Sequence, residues 1–128
     1  MVWYLDTSAF LKLLTMEEES EAMRQWFMSH DSVWSSQLLQ TEALRAGARL
    51  DIDTTVIEDA LDTISLVMPS VATFYAAGRL SPPSLRSLDA LHLAAAMEIG
   101  ADLEGVISYD ERLSGAARAV SLTVLTPR

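Results

Sequence analysis

Val2-Trp3-Tyr4-Leu5-Asp6-Thr7-Ser8-Ala9 is the stretch on which the reading of this chain turns. Four apolar residues in succession, not alternating with polar ones, are the pattern of a strand buried on both faces of a parallel sheet. The run stops at an acidic residue, and Thr7 or Ser8 can cap a helix running to Leu14. The arrangement recurs near the other end, where Val106-Ile107-Ser108-Tyr109 leads into Asp110 and then into a helical stretch over residues 111–120. Weaker strand signals lie at 32–35, 65–68 and 122–125. Helical patterns fill the intervals. One runs from the glutamate cluster at 17–19 through Met28, one over Gln37–Leu50 with Ser36 as its cap, and one over 54–63. A helix over 71–80 is stopped by Ser81-Pro82-Pro83, and Ser87 can cap a helix over 88–99 that ends at Gly100. Strands alternating with helices specify an α/β fold with a parallel sheet. No internal repeat, low-complexity tract or linker interrupts it, so residues 1–128 are expected to form a single domain.

Composition narrows the classes. Half of the residues are hydrophobic and 21% are charged, as in an ordinary globular protein. The longest uncharged stretch, between Asp62 and Arg79, contains Pro69 and is too short to span a bilayer. The opening MVWYLD lacks a basic region and a long apolar region, so no secretory signal and no membrane association are expected. The absence of cysteine excludes disulfides and thiolate metal sites, and a cytoplasmic location is expected. A formal charge of −9 on its own argues against nucleic acid as a partner. Two facts offset it: carboxylate-bound metal ions invert the local sign, and all the basic residues except Lys12 are arginine, the better phosphate ligand. The acidic excess at 17–21 and 51–62 reads as solvated faces at helix starts.

Four carboxylates fall outside that surface pattern. Asp6 and Asp110 end the two clearest strands, which is where ligands bind in a parallel α/β sheet; each could equally cap the helix that follows. Glu42 lies on the same face as the apolar stripe Leu39, Ala43, Ala46 and Leu50, and its bland alternative is an ion pair with Arg45. Asp89 opens a helix in which only His92 and Glu98 are otherwise polar, so an extra first-turn cap is its weakest explanation. Buried carboxylates are costly unless paired or bound to a metal, and an oxygen-only set suits Mg²⁺ or Mn²⁺. Other constellations fade. His92 reads as a core or supporting histidine, His30 as a surface residue, and the three tryptophans and six methionines as core. There is no G-x-S-x-G turn and no glycine-rich phosphate loop.

YLDTSAFLKL, SSQLLQTEALRA, RSLDALHLAAAMEIGADL and VISYDERLSGAARAVSLTVLTP together resemble the PIN-domain family, and more narrowly its VapC-type toxins. The resemblance implies a three-layer PIN-like fold, with a five-stranded parallel sheet of order 3-2-1-4-5 flanked by helices. It implies a Mg²⁺- or Mn²⁺-dependent endoribonuclease that leaves a 3′-OH and a 5′-phosphate, the toxin of a toxin–antitoxin pair. Its acidic centre matches Asp6, Glu42, Asp89 and Asp110, with Ser8 and Ser108 in supporting places. It also implies a homodimer neutralised by a VapB-type antitoxin whose C-terminal segment enters the acidic groove. On this reading Asp6, Asp89 and Asp110 hold metal directly, and Glu42 is a ligand or positions the attacking water. Arg45 and Arg49 are expected to contact RNA phosphates, with Arg86 and Arg112 behind them.

Rivals from other classes fare worse. A phosphoacceptor receiver domain needs a lysine late in the chain, and Lys12 is the last one. A haloacid-dehalogenase-type phosphatase needs D-x-D after the first strand, where this chain has Asp6-Thr7-Ser8. The non-enzymatic rival keeps the same fold as a catalytically silent module that docks a basic peptide in the acidic groove.

Overall fold

The computed structural model describes residues 1–128. In chain order the elements are β1 (Val2–Leu5), α1 (Thr7–Leu14), α2 (Ser20–Met28), β2 (Val33–Ser36), α3 (Gln37–Leu50) and α4 (Thr54–Leu61). They continue with β3 (Ser65–Val67), α5 (Val71–Gly78), α6 (Ser87–Glu98), a 3₁₀ turn at Gly100–Asp102, β4 (Leu103–Ile107), α7 (Glu111–Ala119) and β5 (Val124–Leu125). Every strand pairing is parallel and the order is β3-β2-β1-β4-β5, as the family resemblance implied. The chain builds outward from β1 to β3 on one side, then crosses back to lay β4 and β5 on the other. The order therefore reverses between β1 and β4, which opens a crevice beyond their carboxyl ends.

The continuous apolar run of β1 is buried throughout, and its alternate residues serve two cores. Trp3 and Leu5 enter the larger cluster, with Ala9, Phe10, Met23, Leu39 and Ile57 from α1 to α4. Tyr4 points the other way, onto Ala95 and Ala96 of α6 and Val106 of β4. Fully burying side chains such as Leu5, Phe10 and Leu39 contributes roughly 1.5–3 kcal/mol each. No helix is long and apolar enough to cross a membrane.

Several expectations need correction. Leu50 is not core: it is 54% exposed at the end of α3, and Gly47 takes the buried place against Ile57. Of the six methionines only Met23 is buried, while Met1, Met16, Met28, Met68 and Met97 are exposed. The glutamate cluster does not start α2; Glu17 and Glu18 lie in the turn before it, and Glu17 and Glu19 pair with Lys12. Ser36 precedes α3 but makes no capping bond, and its hydroxyl is buried without a partner. Arg86, not Ser87, occupies the cap position of α6, again without a side-chain cap. His30, expected at the surface, is partly exposed, with its ring stacked on Trp26 at 4.1 Å.

The start of β4 lies earlier than the apolar run suggested, because Leu103, Glu104 and Gly105 also join the sheet beside β1. Gly105 pairs with Trp3, and a Cβ there would lie 2.6 Å from the indole and 2.7 Å from the Thr123 carbonyl oxygen. That carbonyl is fixed by the Val106 N–H at 2.8 Å, so it cannot retreat without losing a sheet bond. Gly105→Ala is therefore expected to lower stability by about 1–3 kcal/mol, the usual cost of overpacking. Urea denaturation should show the loss as a lower midpoint with an unchanged slope.

Candidate active site

Four elements bring the acidic residues to one cleft. Asp6 follows β1, Asp110 follows β4, Glu42 projects from the second turn of α3, and Asp89 lies in the first turn of α6. All four line a cavity of about 350 Å³ at the crevice where the strand order reverses. Thr7, Ser8, His92 and Arg86 complete most of its wall.

Both strand-end aspartates do cap helices, and the caps fix them in the cleft. Asp6 is only 3% exposed. Its Oδ1 accepts from the Ala9 N–H at 3.0 Å and from Ser8 Oγ at 2.7 Å, and its Oδ2 accepts from Ser108 Oγ at 2.6 Å. The two serines tie the strand ends together. Ser8 Oγ accepts from the Tyr109 N–H at 2.9 Å, and Ser108 Oγ accepts from the Asp110 N–H at 3.0 Å. Asp110 uses Oδ1 to receive the N–H groups of Arg112 and Leu113 at the start of α7.

Glu42 does not pair with Arg45. Its Oε1 accepts from Thr7 Oγ1 at 2.9 Å and bonds to Nε2 of His92. His92 is buried, as its apolar surroundings in the sequence implied, and its Nδ1 meets the Tyr4 hydroxyl at 2.8 Å. Reading the sequence missed Thr7 and Tyr4 as parts of this centre. Thr7 carried a capping signal that Asp6 takes instead, and Tyr4 was hidden inside an apolar strand. His92 had a usable signal, since it lies three residues after Asp89 on the same helical face.

The electrostatics are those of crowded acids. Burial pushes the Asp6 carboxyl above its usual range, against the pull of the Ser108 and Ser8 hydroxyls and the Ala9 N–H. Burial also raises Asp89, with Asp110 adding to it, while Arg86 and His92 act the other way. For Glu42 burial raises the pKa, but the bond and field of His92 with the Thr7 hydroxyl outweigh it, and the net shift is downward. Burial pushes the Tyr4 phenol up to about 12, although the hydroxyls of Ser36 and Ser35 nearby act to lower it.

The donor set is all oxygen, it is anionic, and Arg86 is the one arginine in its wall, which suits a hard divalent cation. In this geometry no three of these side chains are drawn into a single coordination sphere. Mutual repulsion of the carboxylates opposes such closure, and a Mg²⁺ that keeps several waters does not require it. Of the expected RNA-contacting arginines, Arg86 lines the cleft itself. Arg112 lines a neighbouring groove of about 560 Å³ with Ser84 and Glu111. Arg45 and Arg49 are on α3, outside the lining of either.

Residues 3–119 match the PIN domain model. The chain is 36% identical to Ribonuclease VapC46 of Mycobacterium tuberculosis over 97% of its own length and 96% of that protein's. It is 34% identical to Ribonuclease VapC47 of the same species, with the same coverage. The crystal structure of Mycobacterium tuberculosis VapC20, a sarcin–ricin loop cleaving toxin, superposes with a TM-score of 0.78 at 15% identity, covering 98% of this chain and 99% of that one. The chain belongs to the PIN-domain family. Its relatives within that family are the VapC-type ribonucleases, which are in general dependent on a divalent metal.

Proposed function

We propose that this cleft cuts RNA, and that the protein is a VapC-type endoribonuclease, the toxin of a VapBC pair that arrests growth by cleaving cellular RNA. The observation that carries the reading is the convergence of Asp6, Glu42, Asp89 and Asp110, from four separate elements, on one cavity at the reversal of strand order. Asp6, Asp89 and Asp110 would hold Mg²⁺, or Mn²⁺ in its place, with Glu42 as a further ligand or as the group that orients the attacking water. A bound divalent ion supplies a lowered water pKa and charge stabilisation at the scissile phosphate.

The chain's own residues then have distinct tasks. Ser8 and Ser108 hold the Asp6 oxygens, so that carboxylate needs no reorganisation on binding. Glu42 commits Oε1 to Thr7 and His92, which leaves Oε2 for the cleft. Arg86 offers a planar fork to a phosphate at the rim. Residues 1–128 act as one domain on this reading, in the cytoplasm and as a homodimer. RNA is the substrate, and a VapB-type antitoxin masks the acidic groove.

Induction in a bacterial host without antitoxin, followed by mapping of new RNA 5′ ends, tests the function. Growth arrest with discrete cuts is expected; soluble protein with neither would favour the silent docking module. The arginine assignments have their own check in RNA binding across a salt series. Each phosphate contact removed, by Arg86→Ala, Arg112→Ala, Arg45→Ala or Arg49→Ala, should flatten the logarithmic salt slope by roughly 0.7. A slope unchanged by a substitution removes that arginine from the interface.

A further inference from the structure

Glu42 is held from behind by a buried chain of polar groups. Its Oε1 receives Thr7 Oγ1 at 2.9 Å and is bonded to Nε2 of His92, and the far side of that ring, Nδ1, lies 2.8 Å from the Tyr4 hydroxyl. Tyr4 on β1 and His92 on α6 are 1% and 2% exposed, with their rings edge to face at 5.8 Å. The void beside them, lined by Leu93, Ala96, Val106 and Leu113, has no room for a water molecule. The contact between the Tyr4 hydroxyl and Nδ1 is therefore dry.

The direction of the chain follows from donor chemistry. The Glu42 carboxylate can only accept, so the ring N–H stands at Nε2, and Nδ1 is the position that faces the Tyr4 hydroxyl. The Tyr4 O–H is accordingly directed to Nδ1. An imidazole that accepts at Nδ1 carries its proton on Nε2, where it faces Glu42. Both donors, Thr7 and His92, converge on one oxygen of Glu42.

We propose that Tyr4 and His92 form a positioning pair that locks Glu42 in one orientation and presents only its Oε2 to the cleft, so that Glu42 acts through a single oxygen. The catalytic consequence rests on the metal-dependent nuclease reading, whereas the locked tautomer does not. Groups that orient a metal ligand from the side away from the metal commonly carry this role.

The test begins with the ¹⁵N-labelled, metal-free wild-type chain. Long-range ¹H–¹⁵N correlation should show the His92 ring protonated at Nε2 alone, with the signals assigned against His92→Gln; protonation at Nδ1 overturns the proposal. In Tyr4→Phe the single tautomer should give way to a mixture, with kcat lower by roughly 10- to 100-fold and KM for RNA unchanged. His92→Gln, which keeps an N–H donor toward Glu42, should retain more activity than His92→Leu. Wild-type kcat in Tyr4→Phe, or equal activity in the two His92 variants, also overturns it. The tautomer is measured on wild-type protein, so it decides the proposal even where a variant fails to fold. A chain that cleaves no RNA with Mg²⁺ while keeping the Nε2 tautomer would refute the nuclease reading and leave the pair intact.

Discussion

Asp6→Asn is expected to abolish RNA cleavage while the fold survives, and in metal-free buffer the variant should be at least as stable as the wild type. The bonds around Asp6 explain the second half. An asparagine can keep its carbonyl oxygen where Oδ1 stands, still accepting from the Ala9 N–H and Ser8. Its amide then faces Ser108 Oγ, whose hydroxyl can turn toward the Asp110 carbonyl, 3.4 Å away. What disappears is a buried negative charge. The folded pKa of Asp6 lies above 3.8 because of burial, so at neutral pH its ionised form works against folding. Removing it exchanges function for stability, as is common at active sites. The loss of turnover should be at least about 10²- to 10³-fold, the scale for deleting one preorganised electrostatic group. Circular dichroism, melting in chelator and mapped 5′ ends together check the claim. A well-folded variant that cuts like the wild type would remove Asp6 from the chemistry.

Mg²⁺ should raise the melting temperature of the wild type, and Asp89→Asn should erase that rise. At an ion concentration about 100 times the dissociation constant, linkage supplies roughly 2.7 kcal/mol, enough for a shift of several degrees. Asp89 is the informative position because burial, then Asp110, raises its pKa above 3.8. A carboxyl with a raised folded pKa contributes stability that is complete below the unfolded value and is lost as pH rises through the folded one. In chelator, then, the wild type should gain stability as pH falls through the raised folded pKa of Asp89 toward 3.8, with Asp6 contributing in the same direction. At lower pH Glu42 and Glu17 oppose the trend, because their lowered pKa values put their contribution above 4.5 and remove it on acidification. Metal competes with protons for the same oxygens, so Mg²⁺ should flatten that gain. An equal Mg²⁺ response in Asp89→Asn would show that the ion binds elsewhere.

The parts of this molecule that were legible in the sequence are those written in one-dimensional patterns. β1 and α3 have the bounds that the apolar run and the helical stripe indicated, and the four carboxylates stood out because each interrupts such a pattern. Other features depend on partners distant along the chain. Gly105 joins the sheet opposite Trp3, with the indole packed close against it, and no local propensity announces that. Ser36 looked like a cap, yet burial beneath the sheet end took its hydroxyl away from the helix. The partner of Glu42 could not be read from its helix, where Arg45 was the nearest cation, since His92 arrives from fifty residues downstream. Likewise, hydrophobicity alone suggested buried methionines, but α/β packing at this size left only Met23 a place inside.

That distribution of methionines sets how the protein ages under peroxide. Met16 and Met28 expose 90% and 81% of their surface, so their thioethers should become sulfoxides first. Such lesions add polarity where water already lies and leave the interior untouched. Met23, with none of its surface exposed, would be reached only after the chain opens. With no cysteine to form sulfenic acid or mixed disulfides, oxidant finds no thiol switch in this fold. Damage should therefore accumulate on the outside, in a form that methionine sulfoxide reductases can reverse.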